Sequence, residues 1–195
     1  MKQEMITFLS QNQSVLKDLC TFLYNNPEES YKEFKASSYI CNLLNNYKFN
    51  ITKNYLDIPN SFYAIKGNGH PKICYLCEYD AIFNEGHLTG HNALTTMSIG
   101  ASILLGSIID KLNGSVIVIG CPGEYLGGTK NIMVKQKAFE DVPETQNQRL
   151  FKSQYVIIQY TFIIPYWRLQ VKHFRGRKPL KIAGFKPVKR ACMGY

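Results

Sequence analysis

Two short apolar runs in this chain end in groups that can hold metal or move protons. Residues 73–78 lead into Glu78-Tyr79-Asp80, and residues 115–120 lead into Cys121-Pro122-Gly123-Glu124-Tyr125. Between them, Gly86-His87-Leu88-Thr89-Gly90-His91-Asn92 opens a long apolar segment. An imidazole keeps a lone pair for a metal near neutral pH, and a carboxylate can take a proton from water. His87 and His91 are four apart, the spacing that puts two imidazoles on one helix face. Gly86 and Gly90 favour instead a loop that enters the helix at Asn92, in which the two rings need not converge. His91 therefore reads either as a ligand or as a loop or capping histidine, and Glu124 either as a general base or as a solvated loop glutamate.

Two other motifs fail on their own chemistry. Gly123 to Lys130 lies between a strand and a helix, as a phosphate loop does, but Thr129 precedes Lys130 where that loop needs Lys before Ser or Thr. Cys74 and Cys77 are three apart within one strand, so their thiols point to opposite faces, and no second pair follows. Both read as core residues.

The elements that must position these groups follow from periodicity. Residues 3–24 and 28–46 each carry apolar side chains at helical spacing and end in asparagine-rich stops. Residues 49–55, 61–66 and 73–78 read as strands, with a Gly-Asn-Gly-His-Pro turn at 67–71. A helix over 92–111, a strand over 115–120 and a helix over 129–137 complete an alternating series. That alternation predicts an α/β fold, a mixed or parallel sheet covered by helices, with its ligand site at the carboxyl ends of strands. The run 91–109 is interrupted by Asn92, Thr and Ser sites and Gly100, which fits a buried helix rather than a membrane span.

Charge divides the chain in two. Of 23 Lys plus Arg and 14 Asp plus Glu, residues 1–142 hold 12 and 13, whereas 143–195 hold 11 and one. The net charge of +9 is thus a property of the tail, which also loses periodicity and is expected to be poorly ordered. Six scattered cysteines and a charged, amphipathic start without signal-peptide character predict a cytoplasmic chain with reduced thiols.

Taken in order, Asn26-Pro27-Glu28, Lys35 to Tyr39, Glu78-Tyr79-Asp80-Ala81, Gly86-His87 with Gly90-His91-Asn92, Pro122-Gly123-Glu124 and Ala138 to Val142 resemble the amino-terminal half of an M20 family metallopeptidase. The branch it is most similar to hydrolyses N-acyl amino acids and small peptides. The resemblance covers residues 1–142 and implies a partial zinc-peptidase-like catalytic domain there, with 143–195 a divergent basic tail. It also implies two divalent metals, zinc or manganese, and a small acyl-amino-acid or peptide substrate. His91 then matches a metal-ligand histidine, Glu124 the general base, and Asp80 an aspartate that orients a ligand.

The same resemblance exposes substitutions. Thr89 stands where the branch has a cysteine ligand, and Tyr125 where it has a second glutamate. A hydroxyl stays protonated near neutrality and is a poor donor to zinc. The expectation is a truncated, degenerate amidohydrolase with doubtful metal occupancy. Three alternatives accompany it: a frameshift origin for the tail, restoration by a complementary carboxyl-terminal half, and a non-catalytic protein whose basic tail binds an acidic surface. The tail's Phe174, Arg175, Arg177 and Lys178 permit nucleic-acid contact, but a solvated tail explains them as well, and nucleic acid is not the expected partner.

Overall fold

The computed structural model describes residues 1–138 in full and, beyond them, the backbone of three strands. The chain runs α1 (Lys2–Gln11), α2 (Gln13–Asn25), α3 (Phe34–Asn46), β1 (Asn50–Lys53), β2 (Phe62–Gly67), β3 (Lys72–Cys77), α4 (His91–Gly106), β4 (Ser115–Gly120) and α5 (Thr129–Lys135). The strands β5 (Tyr155–Ile163), β6 (Tyr166–Arg175) and β7 (Lys178–Pro179) follow. They form one sheet in the order β1-β2-β4-β3-β5-β6-β7. β3 is parallel to both β4 and β5, whereas β2 is antiparallel to β4 and β6 to β5. The fold is therefore α/β with a mixed sheet, as the alternation of elements predicts.

The central strands read as continuous apolar runs because helices or loops cover both faces. On one face, Val116, Val118, Tyr75 and Cys77 join Leu19, Leu23, Ile40, Leu44 and Ile99 in the main core. On the other, Ile117, Ile119, Cys74 and Leu76 pack with Ile58, Cys121 and Met133. Cys74 and Cys77 thus face opposite sides, and all five cysteines among the described residues are free. Each wholly buried Leu or Ile of this core contributes about 1.5–3 kcal/mol over an exposed one. No helix among the described residues is long and apolar enough to cross a membrane.

Three departures from the periodic pattern have local causes. The helix expected over 3–24 breaks at Asn12, whose side-chain amide donates back to the Phe8 carbonyl at 2.7 Å while its oxygen accepts from the Tyr47 hydroxyl at 2.5 Å. Such side-chain bonds compete with the helical ladder. The helix expected from 28 begins instead at Phe34, because Glu28 stays outside it and its carboxylate accepts from the Lys35 and Ala36 N–H groups at 3.0 and 2.9 Å. Those are donors that a helix start leaves without intrahelical partners. The long apolar helix starts one residue early, at His91, after Gly90 takes a left-handed φ of 79°.

Helix α4 is pinned to the end of β3 by its polar face. The Thr95 hydroxyl donates to the Glu78 carbonyl, and that of Ser98 to the Leu76 carbonyl at 2.8 Å. Gly100 lets α2 approach closely, since an added Cβ would lie 3.1 Å from Leu16. Within 143–195 the described residues are the strands β5 to β7. The poor order expected of the tail, and its aromatic and basic side chains, otherwise fall outside the described residues.

Candidate functional site

The ends of β3 and β4 converge with two loops on one polar volume. The segment before α3 docks first: the Ala81 N–H donates to the Glu28 carbonyl at 2.7 Å, and Glu29 and Ala81 form an isolated parallel bridge. This brings Ser30 and Glu33 beside the strand ends. Asp80 is wholly buried there and accepts from three donors. The Ser30 hydroxyl lies 2.6 Å from Oδ2, the Tyr125 N–H lies 3.0 Å from the same oxygen, and His91 Nδ1 lies 2.8 Å from Oδ1. Burial pushes the Asp80 carboxyl up, but these donors outweigh it and hold it below the usual range.

His91 is fixed from both sides. Its Nδ1 faces the carboxylate and the carbonyl of Asp80, so Nε2 is the nitrogen left to face the site. Nε2 stands 3.4 Å from Glu78 Oε2, and the Tyr125 ring stacks on the imidazole at 4.6 Å between centroids. Burial pulls the imidazole down, yet the Asp80 hydrogen bond and the charge of Glu78 raise it on balance. His87 is also buried, but the two rings have different surroundings: burial holds His87 down to about 4, a neutral core imidazole.

The β4 end is built by glycines. Gly123 has a φ of 72° and packs against the Tyr31 ring, where an added Cβ would lie 2.5 Å away. Its N–H donates to Glu33 Oε1 at 2.7 Å. Glu33 is wholly buried, and burial pushes its carboxyl up to about 7 against that hydrogen bond. Gly127 and Gly128, at φ 96° and 67°, then turn the chain so that Lys130 returns toward Glu124. The Lys130 ammonium bonds Glu78 Oε1 and lies 3.0 Å from Glu124 Oε1. Burial opposes its charge, but the two carboxylates outweigh that and raise it above its ordinary value.

Thr89 and Tyr125 meet in a hydrogen bond between their hydroxyls. Burial raises the Tyr125 phenol, so it remains protonated near neutral pH. The structure thus gathers Asp80, Thr89, His91, Glu124 and Tyr125, but not His87, whose ring nitrogens have no hydrogen-bond partner among the described residues. It adds Glu78, Lys130, Ser30 and Glu33, to which sequence reasoning gave no role. Glu78 lies within the strand-end motif and Lys130 within the rejected phosphate loop, though neither was assigned a role; Ser30 and Glu33 carried no signal beyond their place in a helical pattern.

This donor set does not fit a pair of divalent ions. The two hydroxyls are protonated and bonded to each other, and Lys130 already bridges two of the carboxylates. Among the described residues, no group of three or more His, Cys, Asp or Glu is arranged to hold a metal.

The helix-covered mixed sheet is the fold of M20 peptidase catalytic domains. The chain is a relative of the M20 peptidases and amidohydrolases over about two thirds of its length. It is 32% identical over 144 residues to a component of the p-aminobenzoyl-glutamate hydrolase of Escherichia coli strain K12, a match covering 64% of this chain and 30% of that protein. It is 33% identical over 75 residues to the Xaa-Arg dipeptidase of Mus musculus, covering 36% and 17%. A dinuclear metal-binding M20 peptidase of Bacillus subtilis superposes with a TM-score of 0.55 at 22% identity, over 65% of this chain and 40% of that one. No protein-family model matches the chain. The chain spans less than a third of the length of the curated relatives it matches.

Proposed function

We propose that the chain carries a degenerate M20 amidohydrolase or peptidase site. Its inherited reaction is metal-dependent hydrolysis of an amide bond in N-acyl amino acids or small peptides. In the reading by resemblance, His91 is the surviving ligand, Asp80 orients it, Glu124 is the general base, and Thr89 and Tyr125 occupy former ligand positions. The observation that carries this reading is the pairing of the Thr89 and Tyr125 hydroxyls over His91, which supports a site rebuilt without its thiolate and carboxylate donors. The free thiols support a reducing setting such as the cytoplasm.

The test is turnover. Purified chain is incubated with Zn2+ or Mn2+ and with p-aminobenzoyl-glutamate or an Xaa-Arg dipeptide, the compounds in its relatives' names. The expected result is no hydrolysis above a Glu124→Gln control. Turnover that depends on Glu124 contradicts the proposal.

A further inference from the structure

The ion pairs around Lys130 give the site a feature that loss of ligands alone does not explain. Two acidic side chains come from different strand ends, Glu78 after β3 and Glu124 after β4. One ammonium contacts both, at Glu78 Oε1 and at 3.0 Å from Glu124 Oε1. The Lys130 side chain is only 17% exposed, and that of Glu78 10%. The second oxygen of Glu78 faces His91 Nε2 at 3.4 Å. Glu78 is largely removed from water and needs a positive partner, since an uncompensated buried charge costs several kcal/mol, and the partly exposed Glu124 shares that partner. The loop that delivers it is shaped for the purpose: Gly127 and Gly128 adopt positive φ, the Gly128 N–H donates to the Gly123 carbonyl at 3.1 Å, and the Thr129 hydroxyl donates to the Pro122 carbonyl at 2.9 Å. A Cβ at Gly128 would lie 2.9 Å from Glu124 Oε2 and would push the Glu124 carboxylate aside.

We infer that Lys130 is the resident cation of this site, its ammonium compensating Glu78 and Glu124 in place of a divalent ion and closing the site to metal. The inference deepens the degenerate reading and rests on it. In that reading the missing donors explain weak metal binding; here the ammonium opposes any divalent ion that approaches His91 Nε2, Glu78 and Glu124. A Lys130→Met chain keeps the length and apolar stem of the side chain but removes its charge. With the ammonium gone, the Glu78 and Glu124 side chains can turn toward His91 Nε2 and complete a three-donor set for a single Mn2+, an arrangement absent among the described residues while Lys130 bridges the two carboxylates.

Mn2+ is the probe because it has little affinity for the free thiols, and the free ion is read directly by electron paramagnetic resonance. The full chain, Lys130→Met, Lys130→Gln and Lys130→Arg are titrated, with folding checked by circular dichroism. The expected result is one Mn2+ per chain in Lys130→Met, at least tenfold tighter than in the unaltered chain, and no gain in Lys130→Arg. Glu78→Gln placed on Lys130→Met should abolish the gain. Lys130→Gln gives the same reading if the methionine variant does not fold. No gain in a folded, uncharged variant overturns the inference, and so does tight stoichiometric Mn2+ in the unaltered chain. Neither result requires turnover, so an inert chain whose Lys130→Met variant gains no metal refutes this inference alone. Metal-dependent hydrolysis by the unaltered chain refutes the degenerate reading as well.

Discussion

Asp80 and Glu124 stand at the ends of neighbouring parallel strands and have opposite surroundings. Asp80 is wholly buried and its two oxygens accept from a hydroxyl, a backbone N–H and an imidazole contributed by three different segments. Glu124 is 30% exposed and its ion-pair partner is Lys130, six residues on, in the first turn of α5. Asp80 thus ties several segments together, while the Glu124 carboxylate has a single short-range ion-pair partner. A carboxylate that organises several segments is costly to change, whereas one paired locally can be reassigned without loss of the fold. That difference fits the proposed reading, in which the Asp80–His91 pair persists beside replaced neighbours.

Removing Asp80 should break the comparison most sharply. Asp80→Ala leaves the Ser30 hydroxyl, the Tyr125 N–H and His91 Nδ1 without their acceptor, and about 3–5 kcal/mol of stability should be lost, measured by urea unfolding. Glu124→Ala, measured alongside, should cost about 1 kcal/mol or less, since a partly exposed ion pair contributes little. Equal losses would erase the distinction between the two ends.

Glu33 links the ends and gives a pH signature. Its carboxyl is raised to about 7 in the folded chain against 4.5 ordinarily. Between those values the folded state holds a proton that the unfolded state has released, so stability falls as pH rises through this window. Above about 7 the whole penalty is present, on the order of 3 kcal/mol; below 4.5 it vanishes. Glu33→Gln keeps an oxygen for the Gly123 N–H but cannot ionise. The variant should therefore gain on the unaltered chain as pH rises from 4.5 to 8, read from denaturation midpoints. A difference that does not change with pH would show that Glu33 is not held neutral by burial.

The smallest effect concerns the segment that carries Ser30 and Glu33. Glu28→Ala removes the acceptor for two first-turn N–H groups of α3 and should cost about 1 kcal/mol. If that segment is anchored by the Glu28 carbonyl and Asp80 as well, fluorescence of the nearby Tyr31 should hardly change.

Periodicity placed the strands within two residues of their observed bounds and the start of the long helix within one, because β3, β4 and α4 are apolar enough for burial to dominate, but the helix ends at Gly106, five residues before the expected 111. It missed the break at Asn12 and the late start of α3, since both depend on tertiary partners: Tyr47 in one case, the Glu28 carboxylate reaching Lys35 and Ala36 in the other. Within the site, the placing of His91 and Glu124 near strand ends was legible from the glycines and apolar runs that flank them, whereas their roles rested on the family resemblance. Lys130 was not. Its role comes from meeting Glu78, 52 positions away, and only the parallel register of β3 with β4 brings the two together. Glu33 was hidden for a related reason: in a helical pattern a glutamate reads as exposed, whereas here it precedes the helix and points inward.

The most direct measurement of the central claim is the metal content of the unaltered chain, by plasma mass spectrometry after equilibration with Zn2+ and Mn2+ and removal of free ion. If Thr89 and Tyr125 occupy former ligand positions, as proposed, and Lys130 bridges the carboxylates, the chain should retain well under one ion. Two ions per chain, lost together on His91→Ala, would contradict it.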